Sequence, residues 1–326
     1  MARHPWVARA DEGIRFGVQL VVEPEALPGL LETGRLVEAL GFDALFVFDH
    51  PSTHADPWVC LPALAAVTGR VRLGSAVNSV PYRHPAHLAR LAADLDNLSG
   101  GRLVLGVGIG WYEPEFAALD LPMRSVPERQ AALEEALAIV AGVWGPEPFS
   151  FSGAHYRTEG MRVVPPPVQR PPPPILIGGG GDRTLRQVAR FADACNVSEG
   201  QSVAGKMERV GGADAVRRKL DVLRRHCDEV GRPDDEVLRT HFTLRLVMAS
   251  TAEALAAKLT PPSPTSASPG TRRAGASAIV VGTPEQVLAY YREMVEVGVQ
   301  YFVVQLDARD HETLTLLAEE VMPRVG

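Results

Sequence analysis

Short runs of β-branched and apolar residues alternate with longer amphipathic stretches along the chain. Continuous apolar runs are typical of parallel strands that are buried on both faces of a sheet. The predicted strands are Ile14–Leu20, Ala44–Phe48, Val71–Val77, Arg102–Val107, Ile175–Ile177, Ala194–Val197, Thr243–Met248 and Tyr301–Gln305. The first four begin about 30 residues apart, which is the length of one strand and one helix. The pattern therefore predicts eight successive βα units.

The stretches between these strands have the period of helices that cover one face of a sheet. Leucine and valine recur at helical spacing over residues 27–40, and Gly41 ends that pattern. Further helices are predicted over Trp58–Val67, Pro85–Leu98, Pro127–Val143, 213–230 and His311–Val321, and from Asp182 onward. Eight such units in one chain predict an α/β fold, a (β/α)8 TIM barrel with insertions. A doubly wound sheet with a second domain is the alternative, but no clear linker divides the units into two cores.

Two segments interrupt the alternation within a single predicted domain over residues 1–326. Residues 144–174 contain a predicted hairpin at 149–157 and a tract, 165–174, with seven prolines in ten residues. A tract of this composition favours an extended, ordered chain and excludes a helix. Residues 260–275 are rich in Pro, Ser and Gly and have almost no apolar side chains, so they are predicted to be a flexible linker.

Composition limits the classes of function. The 326 residues carry a net charge of −6, which argues against a nucleic acid or an anionic membrane as the main partner. No apolar run reaches the roughly 18 residues of a membrane span, and the first residues lack the apolar core of a secretion signal. We therefore expect a cytoplasmic protein with a small-molecule substrate. The three cysteines form no CxxC pair, and the three lysines leave little scope for Schiff-base chemistry.

In a barrel of this class the active site lies at the carboxyl ends of the strands. The polar and glycine-rich segments at those ends are Asp49–His50, Ser75–Asn78, Gly108–Glu113, Gly178–Gly181 and Asn196–Glu199. His50 is a candidate general acid or base beside Asp49, or a histidine with only a structural hydrogen bond. Glu113 is a second acid–base candidate, although Glu113 and Glu115 also suit the first turn of a helix. The spacing of Asp49, His50, His54 and Asp56 is not diagnostic of a metal site, and we expect none.

Four consecutive glycines, Gly178–Gly181, lie between a predicted strand and the start of a helix. Without Cβ atoms the backbone can approach a phosphate closely, and free N–H groups at a helix start favour an anion. A tight turn alone needs fewer glycines, so the segment predicts an anion site. The other glycine-rich segment, Gly106–Gly110, departs from a dinucleotide fingerprint because Trp111 stands where its third glycine belongs.

Taken together, the strand-end segments resemble the luciferase-like monooxygenase superfamily, and more closely its branch that uses coenzyme F420. The similarity covers most of the chain in the family's order. The segments that carry it are FGVQL (16–20), GFDALFVFDH (41–50), TGRVRLGSAV (68–77), the stretch from YRHPAH to LGVGIGWYEPEF (82–116), PVQRPPPPILIGGGGDRTLRQVARFADACN (167–196) and VGTPEQV (281–287).

The resemblance implies a bacterial luciferase-like barrel that binds the cofactor ring at the end of the third strand. A non-prolyl cis peptide is expected there between Ala76 and Val77, and His50 is the expected residue for proton transfer. The cofactor-binding residues that it implies are Asp49, His50, Ser75, Ala76, Val77, Ile109, Gly110, Trp111, Gly178, Gly179, Gly180, Gly181, Asn196 and Ser198. A homodimer is also expected from the family.

The chemistry that the resemblance implies is hydride transfer between C5 of the deazaflavin and an organic substrate. The cofactor supplies this reaction, and the protein supplies position and polarity. Two alternatives stay open from the sequence. One is an FMN-dependent monooxygenase on the same barrel, and the other is a non-catalytic flavin-binding homologue.

Overall fold

Eight parallel strands close into a barrel in the computed structural model, which describes residues 3–203, 206–209, 211–259 and 280–326. The strands are β1 (Arg15–Val21), β2 (Ala44–Val47), β3 (Arg72–Ser75), β4 (Leu103–Gly108), β5 (Ile175–Gly178), β6 (Ala194–Val197), β7 (Leu238–Thr243) and β8 (Tyr301–Asp307). Each strand pairs with its neighbours in chain order, and pairing of β1 with β8 completes the ring. The predicted (β/α)8 barrel is confirmed.

Helices follow the strands and cover the outside of the barrel. They are α1 (Leu30–Ala39), α2 (Pro57–Ala65), α3 (Pro85–Ser99), α4 (Val126–Val143), α5 (Asp182–Phe191), α6 (Gly212–Val230), α7 (Pro284–Glu296) and α8 (His311–Leu316). Shorter helices span Pro5–Ala8, Glu113–Ala118, Ala252–Leu259 and Met322–Val325, and a π-helical turn, Leu317–Val321, continues α8. The large apolar cluster between strands and helices forms the main core.

The seventh strand lies earlier in the chain than the hydrophobic pattern predicts. The prediction of Thr243–Met248 is wrong, because the barrel strand is β7, whereas Leu246–Met248 pairs outside the barrel with Val280–Gly282. β7 carries Thr240 and His241, which obscure its apolar pattern, yet both side chains are fully buried. Thr240 Oγ1 donates to the Cys195 carbonyl over 2.6 Å, so the buried hydroxyl is satisfied inside the sheet.

The amino-terminal end of the barrel is closed by side chains. Phe46 fills the interior because Gly17 and Gly74 flank it, and a Cβ on either would lie 2.8 Å from its ring. Below it, Trp6 from the first short helix is fully buried and packs edge-on against Tyr301, with ring centroids 5.5 Å apart. Trp6 Nε1 also donates to Asp43 over 3.1 Å. Among the described residues, these side chains fill the amino-terminal end and leave the carboxyl ends of the strands for a ligand.

The insertion after α4 has the hairpin that the sequence predicts. Phe149–Ser152 pairs antiparallel with Arg157–Met161, and the proline tract that follows contains neither helix nor strand. Gln169 fastens the tract to α3, because its backbone N–H and its amide Nε2 both donate to Asp96, over 3.0 and 2.7 Å. The predicted 260–275 linker lies outside the described residues. Within the described ranges, no helix is long and apolar enough to cross a membrane.

Candidate active site at the carboxyl ends of the strands

β3 ends at Ser75, where the family resemblance implies a bulge that binds the cofactor ring. The peptide between Ala76 and Val77 is cis, as the family resemblance predicts, and pairing with β4 resumes at Asn78 and Ser79. Ala76 is buried and Val77 is half-buried at the top of the barrel interior. The bulge therefore forms a surface across the barrel mouth.

The glycines of β4 and β5 make room for this bulge. A Cβ on Gly106 would lie 1.8 Å from the Ser75 carbonyl oxygen, and a Cβ on Gly108 would lie 2.8 Å from Val77 Cγ2. Gly178 in β5 faces the same valine, and a Cβ on it would lie 3.0 Å from Val77 Cγ1. Gly106 and Gly108 of the GVGIG segment thus allow close packing against the bulge.

Polar side chains inside the barrel hold the bulge in place. Ser75 Oγ donates to the Gly106 carbonyl over 2.8 Å, so this predicted cofactor residue is turned into the sheet. Asn78 Nδ2 donates to the same carbonyl over 3.0 Å, and Gln19 Nε2 donates to the carbonyl of Ala76. Sequence reasoning missed Gln19. Its signal is a lone amide within the apolar strand β1, where a buried polar group needs a specific partner.

His50 pairs with a buried carboxylate at the carboxyl end of β2. Its Nδ1 lies 2.8 Å from Glu115 Oε2, and Glu115 is fully buried on the short helix Glu113–Ala118. Because an ionised carboxylate only accepts hydrogen bonds, Nδ1 carries a hydrogen and Nε2 is left as the ring atom that can exchange a proton. The structure therefore joins His50 to Glu115 and leaves the predicted Glu113 exposed at the start of that helix.

Three side-chain donors keep Glu115 ionised. Burial raises the pKa of the Glu115 carboxyl, but hydrogen bonds from His50, Ser52 and Tyr82 outweigh it and leave the pKa below its usual value. The Ser52 hydroxyl donates over 2.8 Å and the Tyr82 hydroxyl over 2.9 Å. Burial and the neighbouring carboxylate in turn raise the pKa of Tyr82, which stays a neutral donor.

Asp49, beside His50, is buried against a different partner. Its Oδ2 accepts from Arg83 over 2.5 Å and from the Ser79 backbone N–H over 3.2 Å. The same guanidinium bridges to Asp56 over 2.6 Å. Burial raises the pKa of Asp49 despite the opposing effect of Arg83. Asp49 Oδ1 and Ser79 Oγ are both buried, and neither finds a hydrogen-bond partner among the described residues, so both polar atoms lie next to the bulge ready to bond.

Aromatic side chains stand around His50 at the mouth. Trp111 and Tyr112 approach its ring edge-on, with centroids 5.8 and 6.1 Å away, and Trp111 is 43% exposed. His54 lies behind, with its ring centroid 6.4 Å from that of His50 and 4.5 Å from that of Phe48. Burial lowers the pKa of His54 to about 4, so it is neutral at neutral pH. The predicted residue Trp111 thus contributes an exposed apolar wall.

The Gly178–Gly181 segment forms the end of β5 and the turn into α5. Gly179 has a φ of +128°, a conformation that L side chains rarely adopt, and its N–H donates to the Asn196 carbonyl over 3.0 Å. α5 begins after Gly181 without a side-chain cap. Its first backbone N–H groups are therefore open to an anion.

The loop after β6 lies beside this turn and is fixed by a lysine. Lys219 Nζ donates to the carbonyls of Ser198 and Gly200, over 2.6 and 2.9 Å, and sits 3.1 Å from the position of a Cβ on Gly180. The side chain of Asn196 lies beside Thr240, with Oδ1 2.9 Å from the Thr240 hydroxyl oxygen. The predicted residues Asn196 and Ser198 are thus placed next to the glycine turn, together with a cation that sequence reasoning missed.

The remaining predicted residues, Ile109 and Gly110, lie on the loop that leaves β4. Gly110 has a φ of +71°, and a Cβ there would lie 2.6 Å from Ser79 Oγ and 2.8 Å from Phe116. This loop therefore packs against the bulge on one side and carries Trp111 on the other. The structure gathers the ends of β2 to β6 around one mouth, as the sequence predicts.

Comparisons with known proteins agree with this architecture. The family model described as luciferase-like monooxygenase matches residues 13–301. Over 160 residues the chain is 36% identical to an F420-dependent glucose-6-phosphate dehydrogenase of Microbacterium testaceum. The matched stretch covers 46% of this chain and 47% of that protein. The chain therefore spans about half the length of the curated relatives it matches.

Solved structures share the fold over nearly the whole chain. The coenzyme F420-dependent tetrahydromethanopterin reductase of Methanopyrus kandleri has a TM-score of 0.78 at 19% identity. The superposed region covers 96% of this chain and 100% of the reductase chain. The monooxygenase RslO1 of Streptomyces bottropensis has a TM-score of 0.76 at 25% identity, with the same coverage. Because the family model spans most of the barrel, the chain belongs to the luciferase-like monooxygenase family.

Proposed function

We propose that the protein is an F420-dependent oxidoreductase that moves a hydride between C5 of the deazaflavin and a small organic substrate. The observation that carries this proposal is the combination, at one mouth, of the Ala76–Val77 bulge and the proton-exchanging pair of His50 and Glu115. The F420-dependent dehydrogenases among its relatives support the choice of cofactor.

The residues at the mouth fit a flat ring that carries a phosphorylated side chain. Val77 provides an apolar surface across the barrel, and the unpartnered Asp49 Oδ1 and Ser79 Oγ offer hydrogen-bonding atoms beside it. The glycine turn before α5 has no Cβ atoms and no helix cap, as close approach of a phosphate requires. Bound F420 supplies hydride transfer at C5.

His50 is the residue that we assign to proton exchange during hydride transfer to or from a hydroxyl or carbonyl. Glu115 holds the Nδ1 hydrogen, so the His50 ring is fixed in one orientation with Nε2 available. The tryptophan and tyrosine beside the ring exclude water from one side of it and offer an apolar face to the substrate. Glu113, which is exposed, then has no part in this step.

One experiment tests both the cofactor and the role of His50. F420 binding is followed by quenching of intrinsic fluorescence, and turnover is followed by the absorbance of reduced and oxidised F420 across a panel of alcohols, enones and imines. His50→Ala should lower kcat by about 10²- to 10⁴-fold, the usual contribution of a general acid or base, and leave the F420 Kd within a few-fold.

Two further variants control for structure. His50→Gln retains a donor for the buried Glu115, and should fold like the wild type while remaining slow. His54→Ala changes the neighbouring histidine, whose ring lies 2.7 Å from the Thr53 hydroxyl, and should keep near-normal turnover. Normal turnover of both His50 variants would leave His50 with only its structural hydrogen bond.

An FMN-dependent monooxygenase is the alternative, and the similarity to the monooxygenase RslO1 at 25% identity favours the monooxygenase part of that reading. The same titration with FMN decides between them. Tight FMN binding with no F420 binding would replace the first proposal by a flavin-dependent monooxygenase. The homodimer expected from the family and the cytoplasmic location stay predictions.

A further inference from the structure

The amide side chains of Gln19 and Gln305 form a hydrogen-bonded chain across the top of the barrel interior. The two residues lie opposite each other in the register of β1 and β8. Gln305 Nε2 donates to Gln19 Oε1 over 2.8 Å, and Gln19 Nε2 donates to the Ala76 carbonyl in the bulge. A polar side chain on β8 is thereby connected to the surface on which we place the cofactor ring.

The Ala76 carbonyl fixes the direction of this chain. A carbonyl oxygen only accepts hydrogen bonds, so Gln19 presents its amide nitrogen to Ala76 and its amide oxygen to Gln305. Gln305 then presents its nitrogen to Gln19, which leaves its own oxygen on the other side of the amide. Gln19 is 1% exposed, so its amide has little freedom to turn. The Gln305 oxygen is therefore an acceptor with one fixed orientation.

Gln305 lies where β8 reaches the mouth of the barrel. Side chains alternate along a strand, so Gln305 is on the same face as Tyr301 and Val303, which belong to the apolar cluster inside the barrel. β7 ends at Thr243, which pairs with Val304, so the paired part of β7 stops one residue short of Gln305. Gln305 is half-buried, and no described residue donates to its amide oxygen. A group that enters the mouth can therefore reach this oxygen.

We propose that Gln305 is a specificity-determining residue whose amide oxygen accepts a hydrogen bond from a second polar group of the substrate, a hydroxyl or an N–H, remote from the reacting carbon. This inference rests on the proposed function, in which His50 at the end of β2 exchanges the proton. β1 lies between β2 and β8, so two strand spacings, about 10 Å, separate these strands. A substrate of this class therefore has its second polar group several bonds away from the carbon that takes part in hydride transfer. Gln19 is a positioning residue that holds the Gln305 amide in one orientation.

The test compares pairs of substrates that differ only at the end remote from the reacting carbon. Within the panel of alcohols, enones and imines, the two members of a pair have a methyl or a hydroxyl group at that end, and kcat/KM with F420 is measured for both. The wild type should prefer the hydroxylated member about 3- to 10-fold, the range for one hydrogen bond between neutral groups. In Gln305→Met this preference should disappear, mainly through a higher KM for the hydroxylated member, while the F420 Kd stays within a few-fold.

Gln300→Met is the matched control, because it makes the same substitution beside the other end of β8. Gln300 Oε1 accepts from the Arg239 backbone N–H over 3.2 Å at the amino-terminal end of the barrel, so this variant should keep the wild-type preference. The inference is overturned if Gln305→Met keeps the preference, or if it weakens F420 binding with the preference intact, which would place the amide against the cofactor. A wild type that turns over the panel without any preference would overturn this inference alone, whereas a wild type that does not bind F420 would overturn the proposed function.

A third variant tests the direction of the amide chain. Gln305→Glu places a carboxylate, which only accepts hydrogen bonds at neutral pH, against the Gln19 amide oxygen. It should lower the melting temperature at pH 7 by more than Gln305→Met does. A melting temperature equal to or above that of Gln305→Met would mean that Gln19 donates to residue 305 and that the wild-type oxygen is turned away from the substrate, which would overturn the inference. The melting temperatures also report whether each variant has folded.

Discussion

The contact between Gly108 and Val77 predicts a specific double-mutant result. A Cβ on Gly108 lies 2.8 Å from Val77 Cγ2, well inside the roughly 3.5–4.0 Å at which carbon atoms attract. Its next neighbours are Val77 Cβ at 3.9 Å and the Gly178 carbonyl oxygen at 4.0 Å. One methyl group therefore causes all the crowding in Gly108→Ala, and Val77→Ala removes that methyl.

The size of the effect follows from this geometry. In the wild-type background, Gly108→Ala should lower the free energy of unfolding by about 1–3 kcal/mol, the usual cost of overpacking a core. In the Val77→Ala background the new Cβ has only ordinary contacts, and the restricted unfolded chain should make the same change stabilising by about 0.4–1 kcal/mol. The two changes should thus couple by about 2 kcal/mol.

The assay is urea unfolding of the wild type, both single variants and the double variant under identical conditions. Gly69→Ala is the control, because a Cβ there meets nothing within 4 Å and the change should raise the free energy of unfolding by the same margin of about 0.4–1 kcal/mol. The reasoning is refuted if the effects of Gly108→Ala and Val77→Ala on the free energy of unfolding sum to that of the double variant within about 0.5 kcal/mol. That result would mean that β4 relaxes away from the bulge and that the Val77 methyl group does not cause the crowding.

Three other changes probe the site and its surroundings. Glu115→Gln should lower F420 turnover at least tenfold with little change in Kd, measured by steady-state kinetics and fluorescence titration, because the amide no longer holds His50 through a charge. Gly179→Val should weaken F420 binding at least about a hundredfold in the same titration, since its φ of +128° disfavours a side chain. Burial raises the pKa of Glu199, but hydrogen bonds from His241 and Tyr290 outweigh this effect and leave the pKa at about 2. Ionised Glu199 therefore stabilises the fold above pH 4.5, and this stabilisation is lost as the pH falls toward 2. In urea unfolding, Glu199→Gln should therefore lower the free energy of unfolding by on the order of 3 kcal/mol at pH 7 and by less at pH 3.

The barrel was predictable because its strands are buried on both faces and the glycines, prolines and helix periods mark their ends. β7 was the exception. Its polar residues Thr240 and His241 interrupt the apolar pattern, so the pattern favours the more apolar residues that follow. The burial of His241 depends on Glu199, 42 positions away, which a local pattern does not reveal.

Among the site residues, the choice between two nearby glutamates shows the limit of local reasoning. Glu113 and Glu115 look alike in sequence, but the short helix turns one to solvent and the other onto His50. Lys219 reaches the glycine turn from α6, because packing of α6 against α5 brings its side chain there.

Short sequence segments alone predict the barrel, the strand ends that form its mouth and a glycine turn suited to an anion. These are properties of short segments, set by hydrophobic period and by the backbone freedom of glycine. Only the tertiary structure decided which carboxylate holds His50. That contact joins residues 65 positions apart, and such pairs are set by how helices and strands pack together.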